Sequence, residues 1–504
     1  TLSIDAAINP DVAAPGYNIV SAKACSGDQG VKFNGTSMAA PHVAGLAALV
    51  KQKHGDLDNA ALKSLIVNSA LTINDAEGTV YPVSQQGAGR VQTLNALNAQ
   101  VVVQPATLSV GAVLVERKKA LRKEFTVTNL SDETVELTME VTTDAGLTVE
   151  LPTDLLITAG ETFEIKPKVI LEPAFTDNAA VEFDGFIRLK SGNDTVAQIP
   201  VLAVARKSAR IIGKKLEVAA TSPADAEGAI ATFRVKNAGA TAGLLLPFNL
   251  ISKDQRKEEA RENQFRNGIC DLQAAGYRIV EQEVEGEPVQ MVQFGIKLYN
   301  PVTTWHICEV SIQIDANGDG VADQELLGTY AQTLTYNRAH NNLFLSALTN
   351  ADQMRSIRAE YEANFPDQDS VDYSDAIVDS QDYRFFAHST VAVVSARLDK
   401  LATTPGGDLK VKVAVLADSS TPEADDFLAK QDRKWQTLRT TADGMGFIDL
   451  PEQIEIDSGE NTTVELTKGG GKDKLLLLLP HNASNFSTFR NDSQLKVLKP
   501  KFQF

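Results

Sequence analysis

A serine set between a glycine turn and an apolar helix is the residue of this chain best suited to nucleophilic chemistry. The stretch is Gly35-Thr36-Ser37-Met38-Ala39-Ala40-Pro41-His42-Val43-Ala44-Gly45. It brings a hydroxyl together with the unpaired backbone N–H groups of a helix start, where developing negative charge is stabilised. Gly35 permits a tight turn and close approach of a substrate. Pro41 is tolerated in a first turn, so it predicts a helix start just before it. Val43, Leu46, Ala47 and Val50 then recur at helical spacing and predict the buried face.

A second stretch has the composition of a cation loop. In Asp315-Ala316-Asn317-Gly318-Asp319-Gly320-Val321-Ala322-Asp323 oxygen side chains alternate, with glycine where the loop must turn. Calcium takes about six to eight hard oxygens. The spacing aims Asp315, Asn317, Asp319 and Asp323 inward, with the carbonyl of Val321 as a fifth ligand. The loop resembles the first part of an EF-hand loop and the calcium loops of dockerin-like repeats. Its flanks, 310–314 and 324–330, have the pattern of strands, and no Glu stands at the twelfth position. The expectation is a structural Ca2+ pinning a β-hairpin, with a metal-free Asx-rich turn as the alternative. Of the other histidines, His306 beside Trp305 and Cys308 alternates along a strand as a packed residue, and His340, His388 and His481 are isolated from one another and define no metal or acid–base cluster.

Read with Pro10-Asp11-Val12-Ala13-Ala14-Pro15-Gly16 upstream, the serine stretch resembles the nucleophile region of subtilisin-like serine peptidases (subtilases). Asn59-Ala60-Ala61-Leu62-Lys63, Asn68-Ser69-Ala70 and Gly87-Ala88-Gly89-Arg90-Val91 resemble the closing helices of the same catalytic domain. The resemblance covers roughly the first hundred residues. It implies Ser37 as nucleophile, its own N–H as an oxyanion donor, a protein or peptide as substrate, and secretion or a cell-surface location.

A serine nucleophile needs a general base and an orienting acid, and in subtilisins both precede the serine. No histidine precedes Ser37 in this sequence. By the resemblance neither His42 nor His54 is the base, and Asn34 does not match the oxyanion asparagine. The chain is therefore expected to be inactive alone and to need the missing N-terminal part of its catalytic domain. A segment of a full peptidase, a nicked product docked to its other half, and a degenerate relative are the three accounts of this. The competing function is a non-catalytic, calcium-stabilised adhesion or scaffold protein with a vestigial peptidase segment.

The elements that must position these residues follow from period and punctuation. Residues 1–98 have an α/β pattern: a strand at 18–22, the serine helix, helices near 59–70 and 92–98. Residues 101–207 change to strict alternation, with strands at 125–129 and 135–141 joined as a hairpin by Leu130-Ser131-Asp132-Glu133. Further strands are predicted at 155–157, 163–169, 186–189 and 196–204. The spacing predicts a β-sandwich, which by position resembles a fibronectin-III-like domain. A β-rich domain at 208–345, a helix at 351–364 within a linker at 346–382 whose acidic stretch 367–382 is a loop, and a C-terminal β-sandwich at 383–504 complete the expectation. The fold class is thus multidomain: an α/β subtilisin-like remnant followed by two or three antiparallel β-sandwich domains.

At 504 residues the chain exceeds one core. Hydrophobic residues make up 43% without an 18-residue apolar run, so no transmembrane segment is predicted. A net charge of −17 opposes the basic face that nucleic acid binding needs. Of three cysteines, Cys270 and Cys308 are candidates to pair, leaving Cys25; three unpaired thiols are the alternative.

Overall fold

The helix that carries Ser37, α1 (Thr36–Lys53), follows a short antiparallel hairpin of β1 (Ile19–Ala22) and β2 (Gly30–Phe33). The computed structural model describes residues 6–115, 118–172, 180–220, 225–255, 270–284, 286–302, 305, 308–335, 343–365, 371–386, 389–417, 426–427, 435–482 and 495–502. Helix α2 (Asn59–Asn68) starts on Asp58, whose carboxylate accepts the Ala61 N–H at 2.7 Å. Short helices α3 (Val83–Gln86) and α4 (Thr93–Leu97) follow. Leu46 and Val50 of α1 pack with Leu62, Leu65 and Ile66 of α2 and with Ala96 of α4. Two of the four predicted core positions of α1 are thus fully buried, while Val43 and Ala47 are half-buried.

Pro41 lies inside α1 rather than before or within its opening turn. Without an N–H it leaves the carbonyl of Ser37, four residues back, with no helical donor.

Residues 101–207 alternate as expected, but the strands pair differently. They are β3 (Val101–Gln104), β4 (Leu108–Val115), β5 (Lys119–Arg122), β6 (Phe125–Asn129), β7 (Val135–Thr143), β8 (Leu147–Glu150), β9 (Asp154–Ile157), β10 (Thr162–Ile165), β11 (Lys168–Leu171), β12 (Val181–Ser191) and β13 (Asp194–Lys207). They form sheets in the orders β10-β6-β3, β5-β11-β8 and β4-β13-β12-β7-β9 around a common apolar core. The predicted hairpin of 125–129 with 135–141 does not form, because β6 and β7 lie in different sheets. Asn129 is the reason. Its buried amide donates to the carbonyls of Glu133, Ile157 and Thr158 and turns the chain from one sheet to the next. The predicted strand 163–169 likewise divides into β10 and β11. The β12–β13 hairpin closes at Ser191 and Asp194.

Helices and sandwich belong to one compact unit, Thr1–Lys207; the second is Ser208–Phe504. Within the second unit the division into 208–345 and 383–504 does not survive. Strand 287–302 pairs with 389–397, strand 308–314 with 409–417, strand 230–237 with 461–468, and strand 243–253 with 475–478. Each sheet therefore needs strands from both segments. The helix Ala351–Asn364 lies outside these sheets, and part of the expected acidic loop is strand Ile377–Asp382. Cys270 and Cys308 form a disulfide, and Cys25 is a free, exposed thiol. Among the described residues no helix is long and apolar enough to cross a membrane.

Candidate active site

Gly35 carries the conformation on which the serine turn depends. Its φ of 144° and ψ of 167° lie in a region open almost only to glycine. From there the chain enters α1 at Thr36, and Ser37 is exposed to solvent. No side chain caps this helix start and no acidic residue occupies its first turn. The first N–H groups of α1 thus have no carboxylate against them, and the positive end of the helix dipole faces outward beside the hydroxyl. Lys51 and Lys53 complement the opposite end.

The turn is held from below. The Gly35 N–H donates to the Gly16 carbonyl at 2.8 Å, and the Met38 N–H to the Gly35 carbonyl at 3.0 Å. Asn34 Oδ1 accepts the Asn18 N–H at 2.6 Å, with Asn18 at φ 56°. Asn34 is therefore a staple of the turn, a role missed in the sequence although Asn at both positions was a turn signal. The apolar side chains of Tyr17 and Phe33 beside this staple are 75% and 55% exposed.

Neither nearby histidine serves Ser37. His42 is exposed, and its Nδ1 donates to the Met38 carbonyl at 2.9 Å. The ring of His54 closes α1 by donating from Nε2 to the Leu97 carbonyl at 3.0 Å. Among the described residues no base is brought to the Ser37 hydroxyl. The loci His306, His340 and His388 lie outside the described residues.

The 315–323 loop joins strands Cys308–Ile314 and Gln324–Tyr330, which form the predicted hairpin. Nitrogen donors meet its oxygens. Buried Asp315 accepts the N–H groups of Gly318 at 2.7 Å and Gly320 at 3.0 Å, and the Lys410 ammonium at 2.6 Å. Burial pushes the Asp315 carboxyl up, but Lys410 and these two N–H groups together hold it below its ordinary range. Asp323 accepts from the Ala316 N–H at 2.7 Å, and Asn317 Nδ2 bridges Asp319 and Asp323 at 3.1 Å each. Asp319 accepts the Val321 N–H at 2.7 Å. A calcium ion taken up here would have to displace the ammonium and turn the Asn317 amide. Among the described residues no group of three or more His, Cys, Asp or Glu is arranged to hold a metal ion.

Comparison with known proteins places these observations. The family model described as Subtilase family matches residues 1–94. The Minor extracellular protease Vpr of Bacillus subtilis is 33% identical over 206 residues, covering 40% of this chain and 25% of that protein. The Subtilisin-like protease SBT1.5 of Arabidopsis thaliana is 35% identical over 114 residues, 19% of this chain and 15% of that protein. This chain thus spans a quarter or less of the length of these relatives. The solved structure of Tripeptidyl Peptidase 2 covers 94% of this chain and 46% of its own, at 11% identity and a TM-score of 0.25.

Proposed function

We propose, on the premise that residues 1–94 are a subtilisin-like peptidase region, that Ser37 is the nucleophile of a secreted serine endopeptidase of which this chain is one part. The observation that carries it is the exposed hydroxyl at the uncapped start of α1, behind a glycine-only backbone conformation. Ser37 Oγ attacks the carbonyl carbon of a peptide, and its proton passes to a histidine that is not among the described residues. As the C–N bond breaks, that proton goes to the leaving amine. Water then hydrolyses the Ser37 ester by the same route. The N–H groups at the start of α1, that of Ser37 included, face the oxyanion. Tyr17 and Phe33, exposed beside the turn, support the packing of a further protein layer there. The extracellular nature of the Bacillus relative and the Cys270–Cys308 disulfide support an oxidising, extracellular location.

The test is labelling by a fluorophosphonate. The natural product that contains this chain should be labelled at Ser37, and Ser37→Ala should abolish the label. The 504-residue chain by itself should hydrolyse peptides no faster than its Ser37→Ala variant. An intact, folded natural product that takes no label would turn the assignment to a non-catalytic scaffold.

A further inference from the structure

A buried amide of the sandwich reaches the segments that support the serine turn. Gln198 of β13 is only 4% exposed, in a stretch otherwise built of Ala197, Ile199, Val201 and Leu202. A polar side chain in such a setting persists when its hydrogen bonds are made. Here the partners come from outside the sandwich. Nε2 donates to the carbonyls of Ala70 at 2.7 Å and Ala88 at 2.5 Å, and Oε1 accepts the Thr72 hydroxyl at 3.2 Å. The Gln198 backbone carbonyl accepts Asn68 Nδ2 at 2.9 Å.

From Ala88 the connection runs on through backbone. The Ala88 N–H donates to Asp11 at 2.9 Å, the Ala13 N–H to Gly89 at 2.8 Å, and the Val91 N–H to Ala13 at 3.0 Å. Residues 88–91 and 11–13 are thus zipped together, and three residues after Ala13 the Gly16 carbonyl holds Gly35. The backbones of these segments approach closely. A Cβ on Gly87 would come within 2.3 Å of the Asp11 backbone, and one on Gly89 within 2.2 Å of the Leu71 carbonyl.

We propose that Gln198 is a positioning residue for the Ser37 turn: the sandwich amide fixes residues 88–91, these fix 11–13, and these set Gly16 beneath Gly35. Its catalytic consequence rests on Ser37 being the nucleophile; its mechanical content does not. The sandwich is then part of the catalytic apparatus rather than an appended module.

Amide hydrogen exchange in the 504-residue chain tests this. Gln198→Met keeps the volume and removes both donors, and should speed exchange of the Ala13 and Gly35 N–H groups about tenfold. The control is Asn129→Leu, which removes an equally buried amide whose partners are inside the sandwich; it should leave Gly35 unchanged. Gln198→Glu supplies a pH readout and covers the event that Gln198→Met does not fold. At pH about 8 the introduced carboxylate faces two carbonyl oxygens, and at pH about 5 its protonated form can donate one O–H. Exchange at Gly35, corrected for its intrinsic pH dependence, should therefore return toward the parent rate in acid. Gly35 exchange unmoved by loss of the amide, moved equally by Asn129→Leu, or showing no recovery in acid would overturn the proposal. Fluorophosphonate labelling of the natural product that contains this chain separates the two claims: its absence there removes the nucleophile and leaves the positioning result standing.

Discussion

The Gly16 carbonyl accepts the Gly35 N–H at 2.8 Å, and a Cβ on Gly16 would lie 2.7 Å from the Gly35 carbonyl oxygen. Two glycines nineteen residues apart in sequence thus meet because Gly16 has no side chain, while Gly35 is required for its positive φ. Gly35→Ala forces an L side chain into a glycine-only conformation and should cost about 1–3 kcal/mol. Gly16→Ala acts on the same contact by steric clash. Denaturant unfolding measures both, against Ser37→Ala, an exposed substitution expected within about 0.5 kcal/mol of the parent. A Gly35→Ala variant as stable as Ser37→Ala would contradict the described turn.

Asp184 links the sandwich to α3 and should make stability depend on pH. Its Oδ2 accepts the Val83 N–H at 2.6 Å. Burial first, then the nearby charges of Asp144 and Glu182, push its carboxyl up to about 6, against the lowering effect of the Val83 bond. A carboxyl whose folded pKa is raised favours the folded state in its protonated form. The contribution is complete below about pH 4 and is lost as pH rises through about 6. Allowing for solvent screening of this half-exposed group, it amounts to about 1 kcal/mol. Asp184→Asn keeps an acceptor for Val83 without the charge. Denaturant midpoints between pH 4 and 8 should show the variant gaining on the parent as pH rises. Parallel profiles would mean that Asp184 is not the titrating group.

Lys410 occupies the carboxylate at which the expected calcium ion would have to sit. Removing the ammonium in Lys410→Met leaves Asp315, fully buried, without its counter-charge. The cost should be about 3 kcal/mol. Millimolar calcium should then raise the melting temperature of the variant more than that of the parent, and Asp319→Ala should remove the difference. Melting temperatures of Lys410→Met that are indifferent to calcium and chelator would take calcium out of this loop.

The Cys270–Cys308 bridge spans 38 residues. On loop-closure entropy its loss in a double Cys→Ser variant should cost up to about 4 kcal/mol. Peptide mapping without reduction should find the two cysteines linked and Cys25 alone alkylated. Alkylation of all three in the untreated protein would refute the pairing.

The serine turn was legible in the sequence because its physics is local. Gly35 sets the backbone and Leu46 and Val50 the buried stripe, all within five turns of one helix, and a helix bonds only to itself. Strand periods were legible for the same reason, as in the alternation of Phe125, Val127 and Asn129 or of Val135, Leu137 and Met139. The aspartate spacing of 315–323 was also visible, but not that Lys410, ninety-five residues away, would bring a charge to Asp315.

Which strands meet was decided by tertiary structure alone. Apolar runs around Val292 and Val394 mark buried strands, not that strands 287–302 and 389–397 lie side by side. Partner choice depends on how whole sheets cover one another, so the boundary drawn between 208–345 and 383–504 had no physical counterpart. The same holds at Gln198, whose acceptors at Ala70 and Ala88 exist only once helices and sandwich have closed on each other. Local covalent geometry and periodicity are properties of the chain; long-range pairing is a property of the packed core.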